Sequence, residues 1–297
     1  MKGRWRPLVG ALILLVVAWR VGTTPFLAAA TQLTVPAVVA AIALVAVTVV
    51  CSAWRWQRVA EALAITLGPG EAIAACYRSV FVNSVLPGGV LGDVERAVHH
   101  GRREGDLGRA ARAVVWERTA GQMVQISVTA ALLAWLATSV SPPPWLLPLV
   151  LAAVVGLLVL AVVRPRLSGR VVSTVVEDLR GLLDRRVAPV VVVTSTIAVT
   201  GHLAVFAVAA TIAGVSAPAS TVVALGLVTL LGSAIPVSLA GWGPREGVAA
   251  WAFASAGLGA SQGVTVAAAY GLLSLLATLP GAAVVLRGLR RGVMVDA

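Results

Sequence analysis

The chain has 297 residues, of which 59% are hydrophobic and 12% charged, and its mean hydropathy is +0.95. Several apolar runs approach the ~20 residues that a helix needs to cross a bilayer, so the composition predicts an all-α, polytopic integral membrane protein. Because these runs are continuous, a transmembrane β-barrel is excluded, and they leave no room for a soluble catalytic or nucleotide-binding domain. The net charge of +11 is concentrated in a few loops, where it indicates membrane orientation and not nucleic-acid binding.

The first two predicted spans cover about residues 8–27 and 35–53. A basic N-terminus precedes the first, which we expect to remain as an uncleaved helix although it resembles a signal peptide. The second span is followed by Arg55 and Arg58 beside Trp54 and Trp56, as is typical of an interfacial aromatic belt. The N-terminus and this segment are therefore predicted to be cytoplasmic.

The next apolar stretch, about residues 71–91, has arginine-bearing sequence on both sides. The positive-inside rule places both flanks in the cytoplasm, which favours a re-entrant hairpin that turns at Leu86-Pro87-Gly88-Gly89 over a full span. The basic sequence after it is predicted to be a cytoplasmic loop in which His99 and His100 are solvated.

Residues 107–139 predict one long helix, capped by Asp106, that delivers the chain to the outside. A polar stripe on this helix recurs at spacings of four, three and four, so it should face protein or water. It consists of Arg118, Gln122, Gln125 and Thr129. Glu117 is interpreted as part of an interfacial ion pair and Arg118 as a cavity residue.

The second half predicts a span at about residues 145–163, an amphipathic cytoplasmic helix at 167–187 and a span at about 188–213. Residues 219–257 are then broken by Gly and Pro and predict a hairpin that enters from the outer face, although 219–239 is also long enough for a full span. The last span is predicted at about residues 263–286.

This order gives six spans and two hairpins in one membrane domain. Residues 1–140 and 145–290 show one topology in opposite orientations, the inverted repeat that many transporters use to build a central site. Both termini are predicted to lie in the cytoplasm of a bacterium, with the chain in its cytoplasmic membrane.

Arg245 and Glu246 lie in apolar sequence directly after Pro244. A charged side chain at membrane depth needs a partner, so two interpretations are open. The two residues form an ion pair that fixes the hairpin, or Arg245 binds a lipid phosphate beside a helix start. The polar residues of the first hairpin leave a similar choice between ligand contact and turn or cap chemistry.

The predicted substrate-binding residues share a position at a hairpin or on the polar stripe. They are Asn83, Pro87, Gly88, Gly89, Asp93, Arg96, Arg118, Gln122, Gly243, Arg245 and Glu246. Cys51 and Cys76 are expected to be buried thiols. His202 is expected to be a hydrogen-bonded core histidine, with a proton relay as the alternative. No catalytic or metal-ligating motif is present, so neither catalysis nor a cofactor or metal is predicted.

Two motifs resemble the lysylphosphatidylglycerol synthase transmembrane family, which includes the flippase half of multiple-peptide-resistance-factor proteins. They are Asn83 with Leu86-Pro87-Gly88-Gly89, Gly92-Asp93 and Arg96, and Gly241-x-Gly243-Pro244-Arg245-Glu246. The resemblance implies a flippase-like domain in which both motifs line the substrate path. Leu91 departs from it, since the family pattern has a small residue there. No soluble aminoacyl-transferase domain follows, so lysyl transfer is not expected of this chain.

The predicted function is translocation of an anionic or aminoacylated phospholipid, or of a polyprenyl-phosphate-linked lipid, between leaflets without ATP hydrolysis. One alternative is a membrane enzyme or accessory subunit that acts on lipid-linked or polyprenyl-phosphate sugars, and another is a structural partner without transport. The expected partners are such a lipid and the membrane. A second copy of the chain or a lipid-modifying enzyme remains open as a further partner.

Overall fold

The computed structural model describes residues 24–86, 89–139, 169–233 and 242–290. Within these ranges every regular element is a helix, which agrees with the predicted all-α class. In chain order the eleven described helices are α1 (Thr24–Thr31), α2 (Val35–Ala62), α3 (Pro69–Val85), α4 (Leu91–Glu104), α5 (Leu107–Ser139), α6 (Gly169–Leu182), α7 (Ala188–Ile212), α8 (Ala219–Ser233), α9 (Pro244–Ser255), α10 (Ala260–Ala277) and α11 (Leu279–Arg290).

Three stretches of the described residues are long and apolar enough to cross a membrane: Val35–Ala62, Ala188–Ile212 and Ala260–Arg287. On α2, Val39 and Val47 remain 59% and 51% exposed, as suits a helix face in contact with lipid. The chain is thus a helical membrane protein. Most of the predicted span at 8–27 and all of that at 145–163 lie outside the described residues.

Helices α2 and α7 form the centre of the bundle, with α10 packed against both. Close packing of α2 and α7 depends on Gly201, where an added Cβ would lie 2.5 Å from Cγ2 of Thr48. Small residues at such contacts let helices approach closely in a bilayer, where no hydrophobic force drives them together. The α2–α7 core is the frame that holds the polar residues described below.

Helices α3 and α4 pack against each other on either side of the predicted first turn. They contain 17 and 14 residues, so at ~1.5 Å per residue both are shorter than the ~30 Å hydrocarbon core. A Cβ on Gly92 would lie 2.2 Å from the carbonyl oxygen of Ser79, so the pair needs glycine there. Leu91, the departure from the family pattern, is 44% exposed and lies beside this close contact.

Helices α8 and α9 form the corresponding pair in the second half, with 15 and 12 residues. The connecting residues 234–241 lie outside the described part of the chain. The described part of α8 measures about 22 Å at ~1.5 Å per residue, and both the hairpin at 219–257 and the full-span alternative at 219–239 stay predictions. Entry of the two pairs from opposite membrane faces remains a prediction from the charge pattern.

The long helix α5 begins at the predicted residue, and the carboxylate of Asp106 accepts a hydrogen bond from the backbone N–H of Arg109 at 2.8 Å. The amphipathic segment forms α6, which is tied to α5 through buried Asp178. That carboxylate accepts hydrogen bonds from Nε of Arg112 at 2.9 Å and Nε1 of Trp116 at 2.8 Å. The last predicted helix is interrupted at Thr278, and Pro280 lies in the first turn of α11, where its missing N–H is tolerated.

Candidate functional site

Glu117 on α5 is the centre of a buried ion-pair cluster. Its side chain is 1% exposed, and its two carboxylate oxygens serve two different helices. Oε1 accepts a hydrogen bond from Nε of Arg55 on α2, and Oε2 accepts one from Nη2 of Arg96 on α4, both at 2.9 Å. The guanidinium of Arg96 also packs on Trp56 in a cation–π contact, 4.4 Å from the ring centroid. The same guanidinium contacts the Cys76 sulfur at 3.1 Å.

Asp93 at the start of α4 is the second carboxylate of this cluster. Its Oδ1 accepts hydrogen bonds from Nη2 of Arg118 at 2.7 Å and from the Ser79 hydroxyl at 2.8 Å. Its Oδ2 accepts one from the Asn83 amide at 3.1 Å, and the Asn83 carbonyl accepts one from the Gly92 N–H at 2.8 Å. Asn83 and Asp93 therefore fasten α3 to α4, and Asp93 is not the helix cap that one interpretation expected, since the N-cap position of α4 is Val90.

The cluster carries more positive than negative charge. Three guanidinium groups (Arg55, Arg96 and Arg118) meet two carboxylates (Asp93 and Glu117). Arg55 and Arg96 are buried, whereas the side chain of Arg118 is 43% exposed. The unbalanced positive charge is therefore available at Arg118, where an anion could approach without displacing every internal ion pair.

Arg245 and Glu246 in the second half pair with each other. Oε1 of Glu246 accepts hydrogen bonds from Nε and Nη2 of Arg245 at 2.9 and 2.6 Å. Its Oε2 accepts one from the N–H of Gly243 at 2.6 Å, and Gly243 has a φ of +120°, which favours glycine. The Arg245 guanidinium also lies 5.4 Å from the Trp242 ring and 5.2 Å from the Tyr270 ring. The predicted mutual ion pair is present.

Two cavities of about 260 and 250 Å³ lie between these charged groups. They share Arg118, His202, Ser233 and Tyr270 in their walls, so we call them together the central cavity. The larger part is lined by the polar stripe at Gln122 and Gln125. The smaller part is lined from both helix pairs: by Asn83, Ser84 and Gly89 on one side, and by Ser233, Pro244 and Arg245 on the other.

Several of the predicted site residues meet at the central cavity, and others support its wall. Asn83, Gly89, Arg118, Gln122 and Arg245 line it. Behind this lining, Asp93 and Arg96 bind the charged partners described above, and Gly243 and Glu246 hold Arg245 in place. Pro87 and Gly88 lie outside the described residues. Tyr270 also donates to or accepts from Nδ1 of His202 at 3.0 Å, in agreement with a hydrogen-bonded core histidine.

Three interpretations from the sequence were wrong in whole or in part. The interfacial belt was wrong for Arg55 and Trp56, which are 6% and 1% exposed inside the bundle, whereas Trp54 and Arg58 are 46% and 41% exposed. Glu117 is not an interfacial residue but the buried partner of two arginines, and His100 is 3% exposed and not solvated. The sequence did contain a signal for buried ion pairs, because several charged residues lie beside apolar runs and each such charge needs a partner. Which residues pair with each other could not be predicted from local sequence.

The described residues contain no group of three His, Cys, Asp or Glu side chains placed to hold a metal ion. Cys51 and Cys76 are both buried and free, as predicted. Among the described residues that line the central cavity, Arg118 offers a partly exposed guanidinium, which suits binding of an anionic group.

Comparison with known families gave one match. The family model for the lysylphosphatidylglycerol synthase TM region matches residues 5–281. The chain belongs to this family. The match confirms the resemblance carried by the two motifs and identifies a membrane protein related to lipid modification or translocation. The search of curated proteins found no match.

Within this family the present chain places its two motif segments on one cavity. The first motif contributes Asn83 and Gly89, and the second contributes Pro244 and Arg245. The two motifs are far apart in the chain, and the fold brings residues of both to the wall of one cavity between the two helix pairs.

Proposed function

We propose that this chain moves an anionic or aminoacylated phospholipid, or a polyprenyl-phosphate-linked lipid, between membrane leaflets without hydrolysing ATP. The observation that carries the proposal is Arg118. Its guanidinium belongs to a cluster with excess positive charge, is 43% exposed and lines both parts of the central cavity. A lipid phosphate has the charge and the acceptor oxygens that such a group binds.

The helix pairs α3–α4 and α8–α9 support a translocation path. Helices α3, α4 and α9 are shorter than the hydrocarbon core, and both pairs supply walls of the central cavity. In the proposal they are re-entrant hairpins of an inverted repeat, one entered from each membrane face. The headgroup crosses through the polar interior while the acyl chains remain in surrounding lipid.

The membrane potential sets the direction of passive movement. An inside-negative potential contributes about 2.3 kcal/mol per charge per 100 mV. It favours outward movement of an anionic headgroup from the cytoplasmic leaflet and opposes that of a cationic one. Transport of an aminoacylated lipid with net positive charge therefore needs another driving force, such as consumption of the lipid outside or coupling to an ion.

The proposal is tested by reconstitution of the full chain into liposomes that contain fluorescent phosphatidylglycerol, with quenching of outer-leaflet dye as the readout. Arg118→Ala is expected to lower the flipping rate by about tenfold to a hundredfold, because it removes a charged hydrogen-bond donor from the path. Arg109→Ala is the matched control: Arg109 lies on the same helix, is also 43% exposed and is outside the central cavity.

Equal flipping rates for the wild type and Arg118→Ala would contradict the proposed role of Arg118 in binding the headgroup. Absence of flipping by the wild type with any anionic or polyprenyl-phosphate lipid would reject translocation itself. Arg245→Ala, in the same assay, tests whether the second motif contributes to the path beyond its ion pair with Glu246. Formation of a modified lipid by the purified chain would instead favour the enzyme alternative.

A further inference from the structure

A smaller cavity of about 110 Å³ lies at the other end of the first helix pair, where α3 begins and α4 ends. We call it the base pocket. Its polar wall consists of Glu71, Arg78, Arg96, His99, His100 and Arg103, and Trp56 forms part of its apolar wall. None of the residues that line it also lines the central cavity. The base pocket is a separate compartment that the proposed translocation path does not use.

The arginines of the base pocket are paired with carboxylates. Arg78 contacts Glu95 at 2.8 Å, Arg96 is bound to Glu117, and Arg103 is bound to Glu71. Their charges are therefore largely balanced and do not by themselves require a ligand. The residue that does point to one is His100.

His100 is 3% exposed, and neither of its ring nitrogens has a hydrogen-bond partner in the described part of the chain. The nearest carboxylate oxygen, Oε1 of Glu71, is 3.8 Å from Nδ1, which is beyond hydrogen-bond distance. Edge-to-face packing against Trp56, with ring centroids 5.7 Å apart, holds the imidazole in this position. A buried imidazole fixed in this way needs a partner inside the pocket.

Two other residues that line the base pocket carry buried nitrogen atoms with no hydrogen bond from the described part of the chain: Nε1 of Trp56 and Nε of Arg96. Both are obligate donors. The single carboxylate in the wall, Glu71, is already bound to Arg103. The wall therefore offers an excess of donors and few acceptors, which suits a guest with several acceptor oxygens and no need to donate.

We propose that the base pocket binds a single phosphate group. A phosphate presents acceptor oxygens in tetrahedral directions, so it can bond to donors on different helices at once, and its charge strengthens each hydrogen bond. The phosphate belongs to a free inorganic ion or to a phospholipid headgroup that reaches the pocket from the membrane. Binding would link α2, α3 and α4 at the base of the helix pair. The proposal is independent of lipid translocation.

The experiment uses the full chain in nanodiscs of zwitterionic phosphatidylcholine with ¹⁵N-labelled histidine. The sequence has three histidines, so each ring can be followed separately by NMR. His202 lines the central cavity, and its bond to Tyr270 makes it a reporter for that compartment. Titration with inorganic phosphate is expected to shift the His100 signals saturably while those of His202 stay unchanged.

Two variants test the site. His100→Gln assigns the signal and is expected to raise the Kd for phosphate about tenfold, as measured by the phosphate-dependent rise in Tm. Arg78→Gln changes a lining side chain that is 12% exposed and is also expected to raise the Kd for phosphate about tenfold. This variant provides the test if His100→Gln does not fold. Arg109→Gln is the control, since Arg109 lies outside the pocket, and it should bind phosphate as the wild type does.

The source of the phosphate is distinguished by lipid composition. A His100 shift on replacing phosphatidylcholine with phosphatidylglycerol, with no further response to inorganic phosphate, assigns the pocket to a lipid headgroup. A response to inorganic phosphate in phosphatidylcholine assigns it to the free ion. The proposal is overturned if His100 responds to neither, if His202 alone responds, or if Arg78→Gln binds phosphate as tightly as the wild type.

Discussion

The two halves of the chain both bury arginine and glutamate, but they use them differently. In the second half, Arg245 and Glu246 are adjacent, 9% and 0% exposed, and satisfy each other. In the first half, Glu117 joins arginines from two other helices, and a third arginine, Arg118, remains 43% exposed at the central cavity. The first group has excess positive charge, and the second is balanced.

This difference separates a group that can receive an anion from one that chiefly stabilises the fold. Binding at Arg118 leaves the Arg55–Glu117 and Arg96–Glu117 bonds intact. Binding at Arg245 would compete with the only carboxylate that the described residues bring to it, and would leave Glu246 buried without its cation. We therefore expect Arg118 to be the main phosphate contact and Arg245 to hold the wall of the cavity.

The largest effect is expected for Glu117→Gln. The substitution leaves two buried arginines without their shared carboxylate, so the free energy of unfolding should fall by about 5 kcal/mol. Denaturant titration in detergent micelles measures this change. Glu61→Gln is the control, because Glu61 is 47% exposed in a surface pair with Arg58, and the loss there should stay within about 1 kcal/mol. Similar losses for both variants would show that the cluster is not a stabilising centre.

A smaller loss, about 3 kcal/mol, is expected for Arg245→Met, because Glu246 keeps its bond from the Gly243 N–H. The same denaturant titration measures it, and a double-mutant cycle with Glu246→Gln isolates the coupling between the two residues. The coupling should exceed that of Arg58 with Glu61. If Arg245→Met left stability unchanged but abolished flipping, Arg245 would be a ligand contact and the contrast between the halves would disappear.

Close helix packing predicts the next effect. Gly92→Ala would place a Cβ 2.2 Å from a backbone oxygen on α3, which cannot yield easily, so a loss of about 2 kcal/mol is expected. Gly271→Ala in the second half would place a Cβ 2.4 Å from Nη2 of Arg245, the atom bound to Glu246, so a similar loss is expected there. Gly70→Ala, with nothing within 4 Å, is the control in the same unfolding measurement. Equal losses at positions 92 and 70 would contradict the packing of α3 on α4.

The smallest effect is expected for Tyr270→Phe. It removes the 3.0 Å hydrogen bond to His202 and keeps the ring that packs beside Arg245, so the free energy of unfolding should fall by about 1 kcal/mol. Thermal unfolding of the purified variant provides the measurement. A loss as large as that of Arg245→Met would mean that the hydroxyl, and not the ion pair, holds this part of the cavity wall.

Much of the helical organisation could be predicted from sequence. The long helix α5 and the span at α7 follow from continuous apolar runs and clear end signals, such as Asp106 before α5. The two motifs were sufficient to identify the family, which the match over residues 5–281 confirms. These features are predictable because helix formation and motif spacing are local.

The partners of the buried charges could not be predicted in the same way. Arg55 and Glu117 are separated by 62 residues, and each stands near the end of an apolar run, where local sequence indicates a solvated or interfacial residue. His100 was misread for the same reason, since its basic neighbours indicate a loop while α4 packs it against Trp56.

Sequence alone thus determined that the chain is a helical membrane protein of the lysylphosphatidylglycerol synthase transmembrane family, because apolar run length and glycine-proline breaks act within one segment. Only the tertiary structure decided which arginine is available to a ligand. Burial and pairing depend on how α2, α4 and α5 pack together, and that packing leaves Arg118, of the three arginines in the cluster, exposed at the central cavity.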